Sequence, residues 1–280
     1  MTAASNRSPP CRVGVGVGGW TFEPWRGGSF YPEGWPHGKE LEYASRHLTA
    51  IEINGTYYGT QRPATFAKWR DATPEGFVFS LKASRFTTNR RVLAEAGESI
   101  ERFVSSGIAE LGDKLGPIVW QFAPTKKFDP PDFEAFLKLL PASVAGLALR
   151  HVLDVRHESF MGPDYLALAR RHGAATVFTD SDDHPSFADI TGPFVYLRLM
   201  RCEAHRPHGF APEVFAPLAA CVRAWHAGRE PSGLPRVEPA RVASAGGGGG
   251  EAKRDVFVFM ISGAKERAPA AAMALLEHLK

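Results

Sequence analysis

The chain has 280 residues, 44% of them hydrophobic and 22% charged, a balance that excludes wholesale disorder and a mini-protein. Its 33 Lys and Arg against 30 Asp and Glu leave a net charge of +3, too small an excess to mark a nucleic-acid binder, although a pI near 8.8 suits an anionic partner. Cys11, Cys202 and Cys221 are odd in number, widely spaced and without a C-x-x-C pair, which excludes a disulfide framework and a structural zinc site and points to free thiols in a reducing compartment.

Residues 1–10 are polar, contain two prolines and lack the apolar stretch of a secretory signal, so they read as a disordered tail. No apolar run reaches the roughly 18 residues a membrane helix needs. A soluble, cytoplasmic protein is expected, with a single domain over 11–280 and no membrane partner. Eight short β-branched or aromatic runs follow, each bounded by turn residues. They are 13–17, 49–54, 77–82, 118–122, 147–156, 175–179, 194–198 and 256–261. Helical spacing of apolar residues separates most of them, as in Ile100, Phe103, Val104 and Leu111, or Phe133, Phe136, Leu137 and Leu140. Only the stretch 180–193 is too short for more than a turn or two of helix. Eight strand–helix repeats predict an α/β fold, a single (β/α)8 TIM-type barrel, in preference to an open doubly wound sheet. Residues 227–253 contain five consecutive glycines, Gly246–Gly250, and read as a flexible, Gly-rich insertion before the eighth strand.

The polar residues of these runs share one parity. Glu52 and Asn54 alternate with Ile51 and Ile53, Lys82 follows Leu81, Gln121 lies between Trp120 and Phe122, Asp154 and Arg156 flank Val155, and Arg198 lies between Leu197 and Leu199. Asp180 ends the sixth run. Barrel strands without a site are apolar on both faces, and unpaired charges are costly to bury. Convergence of these groups on a wet pocket at the C-terminal mouth is expected. A plug of structural ion pairs is the alternative. Arg85, Arg90 and Arg91 make the rim positive, which favours a carboxylate or phosphate ligand. His157 is the proton carrier by residue type, or else a structural histidine. A hard cation among the carboxylates and a Schiff base at Lys82 are lesser readings. No other cofactor is indicated. Gly14, Gly16, Gly18 and Gly19 lack the helix start and lysine of a phosphate loop and read as small residues on a crowded wall.

The motifs from Gly18 to Trp25, Ile51 to Tyr58, Phe79 to Lys82, Gly116 to Phe122 and Asp154 to Ser159, with Asp180-Ser181 and Tyr196 to Leu199, occur in this order. Together they resemble the YecE-like family, domain of unknown function 72, from about residue 13 onward. The resemblance implies a TIM-type barrel but no activity. It maps family positions onto Trp20, Trp25, Glu52, Asn54, Tyr57, Lys82, Gln121, Arg156, His157, Asp180 and Arg198. The sequence departs from the family pattern at Asn89, at Met200-Arg201 and at Met260 to Ser262.

These readings predict an enzyme, a hydrolase, lyase or isomerase, acting on a small polar anion. Glu52, Lys82, Asp154, His157 and Asp180 are the expected catalytic groups. Trp20, Asn54, Tyr57, Gln121, Arg156 and Arg198 are the expected substrate contacts, and no metal ligands are assigned. A non-catalytic binding protein for a small anion or nucleic acid is the alternative.

Overall fold

The computed structural model of the protein describes residues 12–239 and 252–280. The eight runs form eight strands: β1 (Val13–Gly18), β2 (Ala50–Ile53), β3 (Val78–Lys82), β4 (Leu115–Gln121), β5 (His151–Asp154), β6 (Ala175–Thr179), β7 (Val195–Leu199) and β8 (Val256–Met260). Each pairs in parallel with its neighbours in sequence, and β8 pairs with β1 to close the barrel. An open sheet is thereby excluded. The period-2 alternation separates two cores. Ile51, Phe79, Leu81, Trp120, Leu153, Leu197 and Val258 face the helices, while Ala50, Val78, Val119, Val152, Val177, Tyr196, Phe257 and Phe259 fill the lumen. The Phe257 ring needs room on the adjacent strand, and Gly14 of β1 supplies it, while Gly16 makes room for the β2 backbone. A Cβ on Gly14 would lie 2.9 Å from the Phe257 ring, and one on Gly16 would lie 1.7 Å from the Ala50 carbonyl oxygen. β1 therefore seats against β2 only because residue 16 has no side chain.

The longer helices are α1 (Glu40–His47), α2 (Pro63–Asp71), α3 (Gly97–Val104), α4 (Pro130–Leu139), α5 (Pro163–Arg171), α6 (Pro212–His226) and α7 (Ala268–Leu279). α2, α4, α5, α6 and α7 carry proline in their first turn, where the missing N–H would have had no helical partner. No helix lies between β6 and β7. The connection is instead anchored by hydroxyls: Tyr165 Oη meets Thr176 Oγ1 at 2.8 Å, and Thr176 meets Thr191 Oγ1 at 2.9 Å.

Two expectations need correction. The fifth run is not one strand: Leu147–Ala148 pairs antiparallel with Ser143–Val144, turning through Ala145 and Gly146 at positive φ, and β5 begins at His151. Nor is the whole of 227–253 a free excursion. The Asp189 carboxylate accepts from the Val237 and Glu238 amides at 2.8 and 3.0 Å, Arg236 donates to the Ala188 carbonyl at 2.9 Å, and Arg170 pairs with Glu238 at 2.7 Å. Leu234 and Val237 pack on the core, so this segment binds the β6–β7 connection where a helix would otherwise lie. The expected tail and Gly246–Gly250 lie outside the described residues.

Cys202 is buried and Cys221 half-buried, and neither is bonded to another cysteine; Cys11 lies outside the described residues. Burial pushes the Cys202 thiol up to about 12, with Asp180 adding to the shift, and raises Cys221 less. Since the thiolate is the reactive form, iodoacetamide at pH 8 should label Cys221 before Cys202, as peptide mapping over time would show. Faster labelling of Cys202 would contradict the burial. Among the described residues no helix is long and apolar enough to cross a membrane.

Candidate functional site

Arg198, on the lumen face of β7, is the centre of the mouth. It is 1% exposed. Its Nε and Nη2 donate to the two Glu52 oxygens at 3.1 and 3.0 Å, and its Nη1 donates to Asp154 at 2.6 Å and to Gln121 Oε1 at 3.3 Å. Burial opposes the guanidinium charge, but Glu52 and Asp154 outweigh it and raise the Arg198 pKa. Tyr196, one layer deeper, donates its hydroxyl to Glu52 at 2.8 Å and meets Ser80 Oγ at 2.6 Å. Burial, then the Glu52 charge, hold the Tyr196 hydroxyl well above its usual range, so it stays protonated. Glu52 is therefore saturated and wholly buried.

Arg156 follows the end of β5 and folds back over Asp154. Its Nη2 donates to Asp154 at 3.0 Å and to Gln121 at 2.9 Å. Burial alone would raise the Asp154 pKa, but Arg198 and Arg156 overcome it and hold the carboxyl below its usual value. Above this layer opens a cavity of about 790 Å³. Asn54, Lys82, Gln121, Arg156 and Arg198 line its floor, and Met200, Arg201 and Ser262 lie among its rim residues.

Lys82 differs from its neighbours. It is 7% exposed, its ammonium lies 4.0 Å from the centroid of the Tyr57 ring, and no carboxylate lies within ion-pair distance of it among the described residues. Burial, then the Arg198 charge, push it down to about 8, with Glu52 pulling the other way. Two carboxylates in this layer thus face three cations, and Lys82 is the one of the three without a carboxylate at ion-pair distance among the described residues.

The structure brings together Glu52, Lys82, Gln121, Asp154, Arg156 and Arg198, with Asn54 and Tyr57 beside them. Three predicted residues are not in this layer. Asp180 has the opposite parity to Thr179, the last lumen position of β6; its carboxylate accepts from the Met200 amide at 2.5 Å and braces the β7 loop. Burial raises its pKa despite that bond. His157 turns back onto its own chain, with Nδ1 accepting from the Ser159 amide at 3.1 Å and meeting its hydroxyl at 2.9 Å. Trp20 packs edge-on against Trp69 and lines a neighbouring cleft. The described residues contain no group of three or more His, Cys, Asp or Glu that could hold a metal ion; guanidiniums take the carboxylates that might have done so. Lys265 and His184 also line the mouth, and the sequence reading missed both because Lys265 opens a short 3-10 helix (Lys265–Arg267) and His184 sits in a loop, where no strand parity marks them. The buried Nδ1 of His184 has no hydrogen-bond partner among the described residues.

The family described as Protein of unknown function DUF72 matches residues 14–280. The chain belongs to it. The DUF72 chain is 26% identical over 136 residues to UPF0759 protein YecE of Escherichia coli, a match covering 45% of this chain and 47% of that protein, so it spans about half the length of this curated relative. A DUF72 family protein of Thermotoga maritima superposes with a TM-score of 0.70 at 21% identity, covering 95% of this chain and 98% of that one. One from Enterococcus faecalis gives 0.66 at 18% identity, covering 96% and 95%. At such identities the likeness carries the fold alone. Of the positions singled out in the sequence as departing from the pattern it resembles, Met200, Arg201, Ile261 and Ser262 line the cavity, Met260 is buried in the core on the helix side of the barrel, and Asn89 donates to the Tyr57 hydroxyl at 3.2 Å.

Proposed function

We propose that this DUF72 barrel is an enzyme of the cytoplasm that binds a small polar anion at its C-terminal mouth and exchanges a proton with it through Lys82. The observation that carries the reading is Lys82 itself, a buried ammonium without a carboxylate partner among the described residues, beside two guanidiniums and open to the cavity. An amine near 8 is a competent acid and base at neutral pH. Glu52 and Asp154 are held by arginines and act as supports for the cation layer. This division of roles suits a hydrolase, lyase or isomerase whose substrate bears a carboxylate or phosphate. Unpaired Cys202 and Cys221 support the reducing compartment.

Arg156 supplies the first test. Its Nη1 makes no hydrogen bond among the described residues and is left to meet the anion. Arg156→Ala should weaken binding of that anion by about 1.5–3 kcal/mol, the size of a lost charged hydrogen bond, read by calorimetry with a ligand found by metabolite enrichment on the purified protein. The melting temperature should change little, because Asp154 keeps Arg198 at 2.6 Å. A large loss of stability with unchanged binding would instead mark the layer as a structural plug.

A further inference from the structure

A second cleft of about 320 Å³ opens beside the mouth, walled by Trp20, Phe22, Ile53 and Trp69. Asn54 and Lys265 line both this cleft and the main cavity, so one molecule can occupy the two at once. Resting on the anion-binding reading above, we infer that the substrate is an anion joined to a flat aromatic ring, with the ring in this cleft and the anionic group in the mouth.

The walls have the shape such a ring requires. Trp20 and Trp69 meet at 5.2 Å and 83°, so a ring laid on one indole face meets the edge of the other, the two arrangements aromatic rings prefer. A dry apolar cavity of about 150 Å³ is enough for benzene, and this cleft is about twice that size, which admits one ring or two fused ones. The chain also keeps the space open. A Cβ on Gly18 would lie 2.8 Å from the Asn54 amide nitrogen, and Gly19 has a φ of +76° that favours glycine. The Asn54 side chain makes no hydrogen bond among the described residues, so it is left for a ligand at the junction. Lys265, whose ammonium lies 4.8 Å from the Phe22 centroid, places a positive charge at the same junction. The broad walls are apolar and the polar groups lie at the edges. A sugar ring would lay a C–H face on an indole, but the hydroxyls around its edge would go unmatched against Phe22 and Ile53.

The test measures affinities of inorganic phosphate, acetate, phenyl phosphate, phenylacetate and ribose 5-phosphate for the full chain by calorimetry. The aryl anions should bind at least tenfold more tightly than the bare ones, and ribose 5-phosphate should show no such gain. Trp20→Leu should remove the aryl advantage and leave phosphate and acetate within about twofold of their original affinity, a result that also reports an intact mouth. Thr21→Trp, at the exposed lip of the cleft, should do the same by filling it, and it decides the matter should Trp20→Leu fail to fold. Equal binding of aryl and bare anions, an equal gain from ribose, or an aryl advantage that persists in Thr21→Trp would overturn the aromatic assignment and leave anion binding standing. Failure of all five probes to bind would overturn the anion reading and this inference with it.

Discussion

Replacing Arg198 with methionine is expected to cost the fold about 3–5 kcal/mol, the loss seen when one partner of a buried ion pair is removed. Among the described residues Arg198 alone pairs with both Glu52 and Asp154, and all three are nearly inaccessible to water. Methionine fills much of the volume but leaves Glu52 with only the Tyr196 hydroxyl and Asp154 with only Arg156. Urea unfolding midpoints for the two proteins would measure the difference. The pH dependence adds a second signature. In the native protein the Asp154 pKa is lowered, because Arg198 and Arg156 outweigh its burial. Its contribution to stability is therefore present above the unfolded value of about 3.9 and is lost as pH falls through the lower folded value. Without Arg198 the burial dominates and the carboxyl takes up its proton more readily. The gap between native and variant should be widest near neutral pH and narrow in acid. A loss below about 1 kcal/mol, or a gap that widens in acid, would contradict the account of Arg198 as the anchor of two buried carboxylates.

Arg198 also shows what was legible in the sequence. A charged residue between two leucines of a barrel strand can face only the lumen, so its place followed from parity. The same argument located Glu52, Lys82, Gln121 and Asp154, because each lies within a strand whose apolar neighbours fix the register. It did not place Asp180, and His157 is a candidate by residue type against its parity. Both lie beyond strand ends, where local hydrogen bonds to the Met200 amide and the Ser159 turn set the direction of the side chain. Nor could parity tell Glu52 from Lys82, since both face the same layer. The distinction comes from pairing across the barrel, which holds the Glu52 carboxylate in three hydrogen bonds and leaves the Lys82 ammonium none among the described residues. The segment 229–239 was misread for a related reason. Its composition resembles a linker, and the groups that hold it, Asp189 and Ala188, belong to a connection some fifty residues earlier.

Lys82→Met is expected to make the protein more stable at neutral pH and to weaken its hold on the anion. The folded chain lowers the Lys82 pKa from the ordinary 10.5 to about 8, chiefly through burial and then through Arg198. The unfolded chain keeps its proton up to about 10.4. Below pH 8 the folded protein therefore bears a buried charge at its full cost. Between about 8 and 10.5 folding releases the proton, and stability rises with pH. That difference corresponds to roughly 3 kcal/mol, of which the lost ammonium contact with the Tyr57 ring offsets about 0.5–1 kcal/mol. The variant should gain about 1–3 kcal/mol at pH 7 in urea unfolding, and its stability should lack the rise between pH 8 and 10.5. Binding should move the other way. In the native protein affinity for the anion should fall as pH passes 8 and the ammonium is neutralised, whereas in the variant it should be weak throughout. A lysine that merely plugged the barrel would give the opposite pair of results, with stability lost on substitution and binding untouched. Stability gained together with binding lost is the pattern of a charge kept at the expense of the fold for the sake of a ligand.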